Sequence, residues 1–93
     1  MMESGFKGKS MKMVAMDVAE GFITVNPLFL NKFDKDMTKD LFDNLNKTLT
    51  LIRNDKIDFT NQPALRMRNM KLQRMHNAMI IIRNIAREKR ILL

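Results

Sequence analysis

The amino-acid sequence predicts an all-α fold: a small helical bundle of three main helices plus one short helix, with a long basic C-terminal helix as its spine. Three observations carry that prediction. Apolar residues recur at three- and four-residue spacing through most of the chain, which marks one face of a helix and not the alternation of a half-buried strand. Ser10, Asn26-Pro27 and Thr60-Asn61-Gln62-Pro63 stand where helices would begin, the last without a single cap residue singled out, and Gly21 near where one would end. No two strand-like runs are joined by a hairpin turn, and there is no internal repeat or low-complexity tract.

Residues 1–9 contain Gly5 and Gly8 and no periodic apolar pattern, so a flexible leader is expected there, with 10–93 forming a single helical domain. Lys7, Lys9 and Lys12 ahead of Met13-Val14-Ala15-Met16 echo a signal peptide, but Asp17 and Glu20 interrupt before an apolar segment can form. No targeting segment is expected. A mitochondrial-type leader is the alternative, since Glu3 is the one acid in the first sixteen residues.

After Ser10 as N-cap, Met11, Val14, Val18 and Phe22 recur at helical spacing and predict a first helix over about 11–24, stopped by Gly21 and Pro27. Asn26 as cap and Pro27 in the first helical position open a short apolar helix with Leu28, Phe29, Leu30 and Phe33, expected to plug the end of the bundle. From Asp36, the series Met37, Leu41, Leu45, Leu49 and Ile52, flanked by Phe42 and Thr48, predicts an amphipathic helix to about Asn54. Its acids Asp36, Asp40 and Asp43 lie in the first turns, where the positive end of the helix dipole favours them.

The last helix is expected from about Ala64 to Ile91, roughly 40 Å long. Leu72, Met75, Met79, Ile82 and Ala86 form its packing or oligomer face, widened by Ala78 and Ile85; Asn69, Gln73, His76, Asn77, Arg83, Asn84 and Arg87 take the opposite face, with Ile80 and Ile91 among them. That stripe runs into Arg68 at one end and Lys89 at the other, and Lys71 also lies in the apolar sector. The clean face therefore covers about four turns, and the ends are expected to protrude past the bundle or meet a partner.

Composition narrows the function. With ten Met, no Trp and no Tyr, the core must be aliphatic and sulfur-rich, which specifies shape loosely and leaves room for another chain to complete the apolar surface. Zero cysteines excludes disulfides and thiolate metal sites and fits a cytoplasmic location. The apolar run from Ala78 to Ile82 is far short of the roughly 20 residues of a membrane-spanning helix.

The net charge of +7 has a location. Residues 1–59 carry nine Lys/Arg and nine Asp/Glu, whereas residues 60–93 carry eight Lys/Arg against Glu88 alone. Such segregation points to an anionic partner. Arg66, Arg68, Lys71, Arg83, Arg87, Lys89 and Arg90 are the candidate contacts for it, with His76 on the same polar side and Arg74 on the flank. The plain alternative is a solvated face, and Arg87, Lys89 and Arg90 also answer the negative end of their own helix. No aromatic follows Phe59, so duplex phosphates fit better than single strands, whose bases stack on aromatic rings. An acidic protein surface is the other partner of the same chemistry.

Other motifs give less. Ala19-Glu20-Gly21-Phe22-Ile23 resembles the turn of a helix-turn-helix, but Glu20 sits where the first helix should be buried and Pro27 where the second needs an apolar position. Met67, Met70, Met75 and Met79 suggest an oligomer seam, yet the pattern lasts about two heptads where a coiled coil wants three to four. A basic amphipathic helix also suits a membrane surface, an option weakened by the lack of Trp and by Asn69, Asn77 and Asn84. Asp34, Asp36, Asp40 and Asp43 lack the glycine turn and terminal Glu of a calcium loop, and His76 is a lone histidine, so no metal or cofactor is expected. Without Cys, Tyr or a phosphate-cradling glycine loop, catalytic constellations are hard to assemble.

The expectation is a non-enzymatic binding protein, a regulatory or assembly subunit whose basic helix contacts nucleic acid or a nucleoprotein complex. The alternative is a protein–protein interaction or scaffold subunit, homo- or hetero-oligomeric, with no nucleic-acid contact.

Overall fold

A computed structural model of the chain describes residues 10–93, in which four helices run in the order α1 (Met11–Glu20), α2 (Pro27–Leu30), α3 (Lys35–Asn54) and α4 (Gln62–Glu88). The leader expected over residues 1–9 lies outside the described residues. Each helix begins on a side-chain cap. Ser10 accepts from the Met13 amide at 3.2 Å, Asn26 from Phe29 at 2.8 Å, Asp34 from Met37 at 2.8 Å and Asn61 from Ala64 at 3.1 Å. These oxygens satisfy amides that the first turn of a helix leaves without partners.

α1 ends four residues before the predicted boundary because Gly21 turns left-handed, with φ 85°. The Phe22 amide then reaches the Asp17 carbonyl at 2.8 Å and Gly21 reaches Val18 at 3.1 Å, the paired bonds that close a helix through a left-handed residue. Phe22 consequently leaves the face it shares by spacing with Met11, Val14 and Val18, and is 79% exposed. Val25 is buried and Ile23 half-buried beyond the turn.

α2 is one turn long. It buries Leu30, exposes Leu28 and sets the Phe29 and Phe33 rings 5.2 Å apart. Four residues cannot serve as a groove-reading helix, in keeping with the failure of the helix-turn-helix pattern. In α3 the aspartates have local duties: Asp34 caps, and Asp40 accepts from the Asn44 side chain at 2.9 Å. The Thr38 hydroxyl, buried, donates to the Asp34 carbonyl at 2.8 Å.

α4 begins two residues earlier and ends three residues sooner than the periodicity predicts. Its C-terminus repeats the device of α1 without a glycine: Arg90 takes φ 59°, the Ile91 amide bonds to Ala86 at 2.8 Å and Arg90 to Arg87 at 3.2 Å. The chain thereby folds Ile91 back to a half-buried position, not onto the polar side of a continuing helix.

Direction of packing follows from the side-chain neighbours. The end of α1 meets α4 through Glu20–Lys71 and the Ala19 carbonyl–Arg74, and the end of α3 meets it through the Arg53 carbonyl–Arg68, so the C-termini of α1 and α3 lie side by side and the two helices run parallel. Arg53 meets His76 and Phe42 meets Arg83, so α4 runs antiparallel to α3. Residues 21–34, with α2 inside them, return the chain from the end of α1 to the start of α3. α4 packs against all three other helices and sets the long dimension of a 44 × 27 × 19 Å body. Val14, Leu30, Leu41, Leu45, Met75 and Ile82 are fully buried at the centre, each contributing about 1.5–3 kcal/mol.

Candidate anionic-partner interface

The parallel course of α1 and α3 brings both of their C-termini to the N-terminal half of α4. A helix C-terminus carries unpaired carbonyls and partial negative charge, and three basic side chains of α4 meet it. Arg74 donates from Nη1 to the Ala19 carbonyl at 3.0 Å, and Lys71 pairs with Glu20 at 3.0 Å, both at the end of α1. Arg68 reaches the Arg53 carbonyl in the last turn of α3 at 3.4 Å. Its Nε is buried with no hydrogen-bond partner among the described residues. Arg68 and Lys71, which interrupt the apolar stripe in sequence, are thus half-buried and committed to the bundle.

The remaining predicted contacts separate into two places. Arg66 is exposed near the start of α4, about 25 Å along the helix from Arg83. Arg83 and Arg87 lie one turn apart, with Lys89 and Arg90 just beyond the helix end; all four are exposed. None of the described carboxylates pairs with Arg66, Arg83, Arg87, Lys89 or Arg90. Of the stripe, Met75, Met79, Ile82, Ala78 and Ala86 are buried and Leu72 and Ile85 half-buried, against α1 and α3 of the same chain.

The structure adds one residue that sequence reasoning missed. Arg53, in the last turn of α3, places Nη2 3.3 Å from His76 Nε2. A guanidinium only donates, so Nε2 is the acceptor in this contact. Two turns further along α4, the Arg83 guanidinium lies over the Phe42 ring with Cζ 5.3 Å from its centroid, a cation–π contact that anchors it on α3. Asn46, Leu49, Arg53, His76, Met79, Ile80 and Arg83 together line a cleft of about 360 Å³. No carboxylate lines it. No signal in the sequence could assign Arg53 to this place, because its position depends on how α3 and α4 are aligned.

A second feature lies on the far edge of the molecule. Met16, Leu51 and Ile52 line a groove of about 510 Å³ between α1 and α3, and Ile52, Asp55 and Lys71 continue it into a cleft beside Ile57, Ala64 and Met67. Leu51 is 68% exposed and Met67 53%. Among the described residues no helix is long and apolar enough to cross a membrane. No protein-family model, curated protein or solved structure matches this chain.

Proposed function

We propose that the chain is a non-enzymatic binding protein, a regulatory or assembly subunit, that contacts duplex nucleic acid or a nucleoprotein complex through the C-terminal half of α4. The observation that carries this reading is the set of cations at one end of that helix: Arg83, Arg87, Lys89 and Arg90 are exposed, Glu88 is the one acid among them, and none of the four forms an ion pair with a described carboxylate. Arg68, Lys71 and Arg74 have structural employment, so they belong to the scaffold and not to the contact surface. The surface is therefore smaller than the charge count suggests, and centred on residues 83–90 at the end of α4.

Binding of a short duplex measured against salt concentration tests it. Four phosphate contacts give a slope of about −3.6 in log K against log salt, a loss of roughly a hundredfold between about 50 and 200 mM. Arg83→Ala with Arg87→Ala should reduce that slope by about 1.8. A shallow slope, or binding untouched by the double substitution, refutes the reading.

The second reading, a protein-interaction subunit, is favoured by the exposed apolar groove of Met16, Leu51 and Met67. Light scattering and pull-down experiments separate the two: a stable monomer that captures no protein counts against it.

A further inference from the structure

We infer that the seam between α3 and α4 seats a single phosphate group between Arg53, His76 and Arg83, as a phosphodiester of the nucleic-acid backbone. The inference rests on the basic-helix reading above and gives it a defined site. Arg53, His76 and Arg83 line one cleft between two helices, Arg53 and His76 in direct contact and Arg83 braced on Phe42 beside them, and no carboxylate lines it. Like charges gathered without a counter-charge repel each other, and an anion seated among them turns that repulsion into attraction.

The chemistry of the three side chains suits phosphate. Arg53 gives one N–H to His76 and keeps the rest of its donor fork. Arg83, held on the face of Phe42, keeps its in-plane N–H edge for another acceptor. Two such forks and one ring N–H match the several oxygens of a tetrahedral phosphate better than the two of a carboxylate. Leu49 and Met79, both buried, form its apolar floor. The aspartates of α3 do not answer this charge: Asp34 caps its helix, Asp40 holds Asn44, and none of the acids of α3 lines the cleft.

Amide-resolved NMR on the full chain tests the site, with inorganic phosphate and a short DNA duplex as probes at ionic strength held constant with sodium chloride. Shift changes should centre on Arg53, His76 and Arg83. Arg53→Gln and Arg83→Gln should each weaken phosphate binding by about tenfold, equivalent to about 1.4 kcal/mol, while Lys47→Gln, on an exposed position of α3 outside the cleft, leaves it unchanged. Circular dichroism checks that each variant stays helical. Changes spread evenly over all basic residues, or wild-type affinity in both arginine variants, overturn the proposal. If phosphate binds in the seam but duplex does not bind, the site stands and the nucleic-acid reading falls. If duplex binds equally well to Arg53→Gln, whose arginine lies outside α4, the site falls and the basic helix stands.

Discussion

Replacing Gly21 with alanine perturbs two things at once, and the structure allows both to be sized. The backbone at Gly21 has φ 85°, a left-handed conformation that costs a residue with a Cβ about 1 kcal/mol. The new Cβ would also stand 3.0 Å from Arg74 Cζ, 3.2 Å from Nη2 and 3.3 Å from Nε. That contact involves the far end of a flexible side chain, so it is relieved by moving the guanidinium. Moving it strains or breaks the Nη1 bond to the Ala19 carbonyl, which is partly buried. A partly exposed charged hydrogen bond of this kind is worth about 1 kcal/mol. Gly21→Ala should therefore destabilise by about 2 kcal/mol, or roughly 10 °C in Tm for a domain of this size.

Urea unfolding followed by far-ultraviolet circular dichroism measures the cost, and a double-mutant cycle with Arg74→Met divides it. In the methionine background only the backbone component should remain, leaving a coupling of about 1 kcal/mol between the two positions. Equal costs in both backgrounds would show that the guanidinium does not rest on the glycine. A total cost below about 0.5 kcal/mol would refute the left-handed closure itself.

Two further predictions use the other turns. Arg90 holds φ 59° without being glycine, so Arg90→Gly should stabilise the domain by about 0.5–1 kcal/mol and raise its Tm, read by calorimetry, even while removing a candidate contact. The Asp58 carboxylate accepts from the Thr60 hydroxyl at 2.6 Å and the Thr60 amide at 2.9 Å, which together hold it below the ordinary aspartate value of 3.8. Since the folded value is depressed, the contribution is present above the ordinary pKa and is lost as pH falls through the lowered one. An NMR titration should place the midpoint below 3.8, and Thr60→Ala should move it upward; its effect on stability should be seen at neutral pH and vanish in acid.

The sequence alone determined what is local in this protein. Ser10 and Asn26 are legible as caps because a capping oxygen bonds an amide three residues away, whereas Thr60 and Asn61 compete in sequence and only the structure selects Asn61. Leu41, Leu45, Met75 and Ile82 are legible as apolar positions at helical spacing because a helix repeats over a single turn. The charge of residues 60–93 needs only counting. Helix ends were harder, since Gly21 and Arg90 close α1 and α4 through left-handed residues that periodicity does not register.

Only the tertiary structure decided what the charges do. Arg74 finds its partner 55 residues away, and Arg53 meets His76 across 23. Nothing in either local sequence states that α1 and α3 run parallel with both C-termini against α4. That alignment turns Arg68, Lys71 and Arg74 inward toward the negative ends of other helices and leaves the cations of 83–90 without an ion pair among the described residues. The difference is one of range: hydrogen bonds along a helix are set within a turn, whereas the partner of a side chain on its surface is set by which core faces pack together.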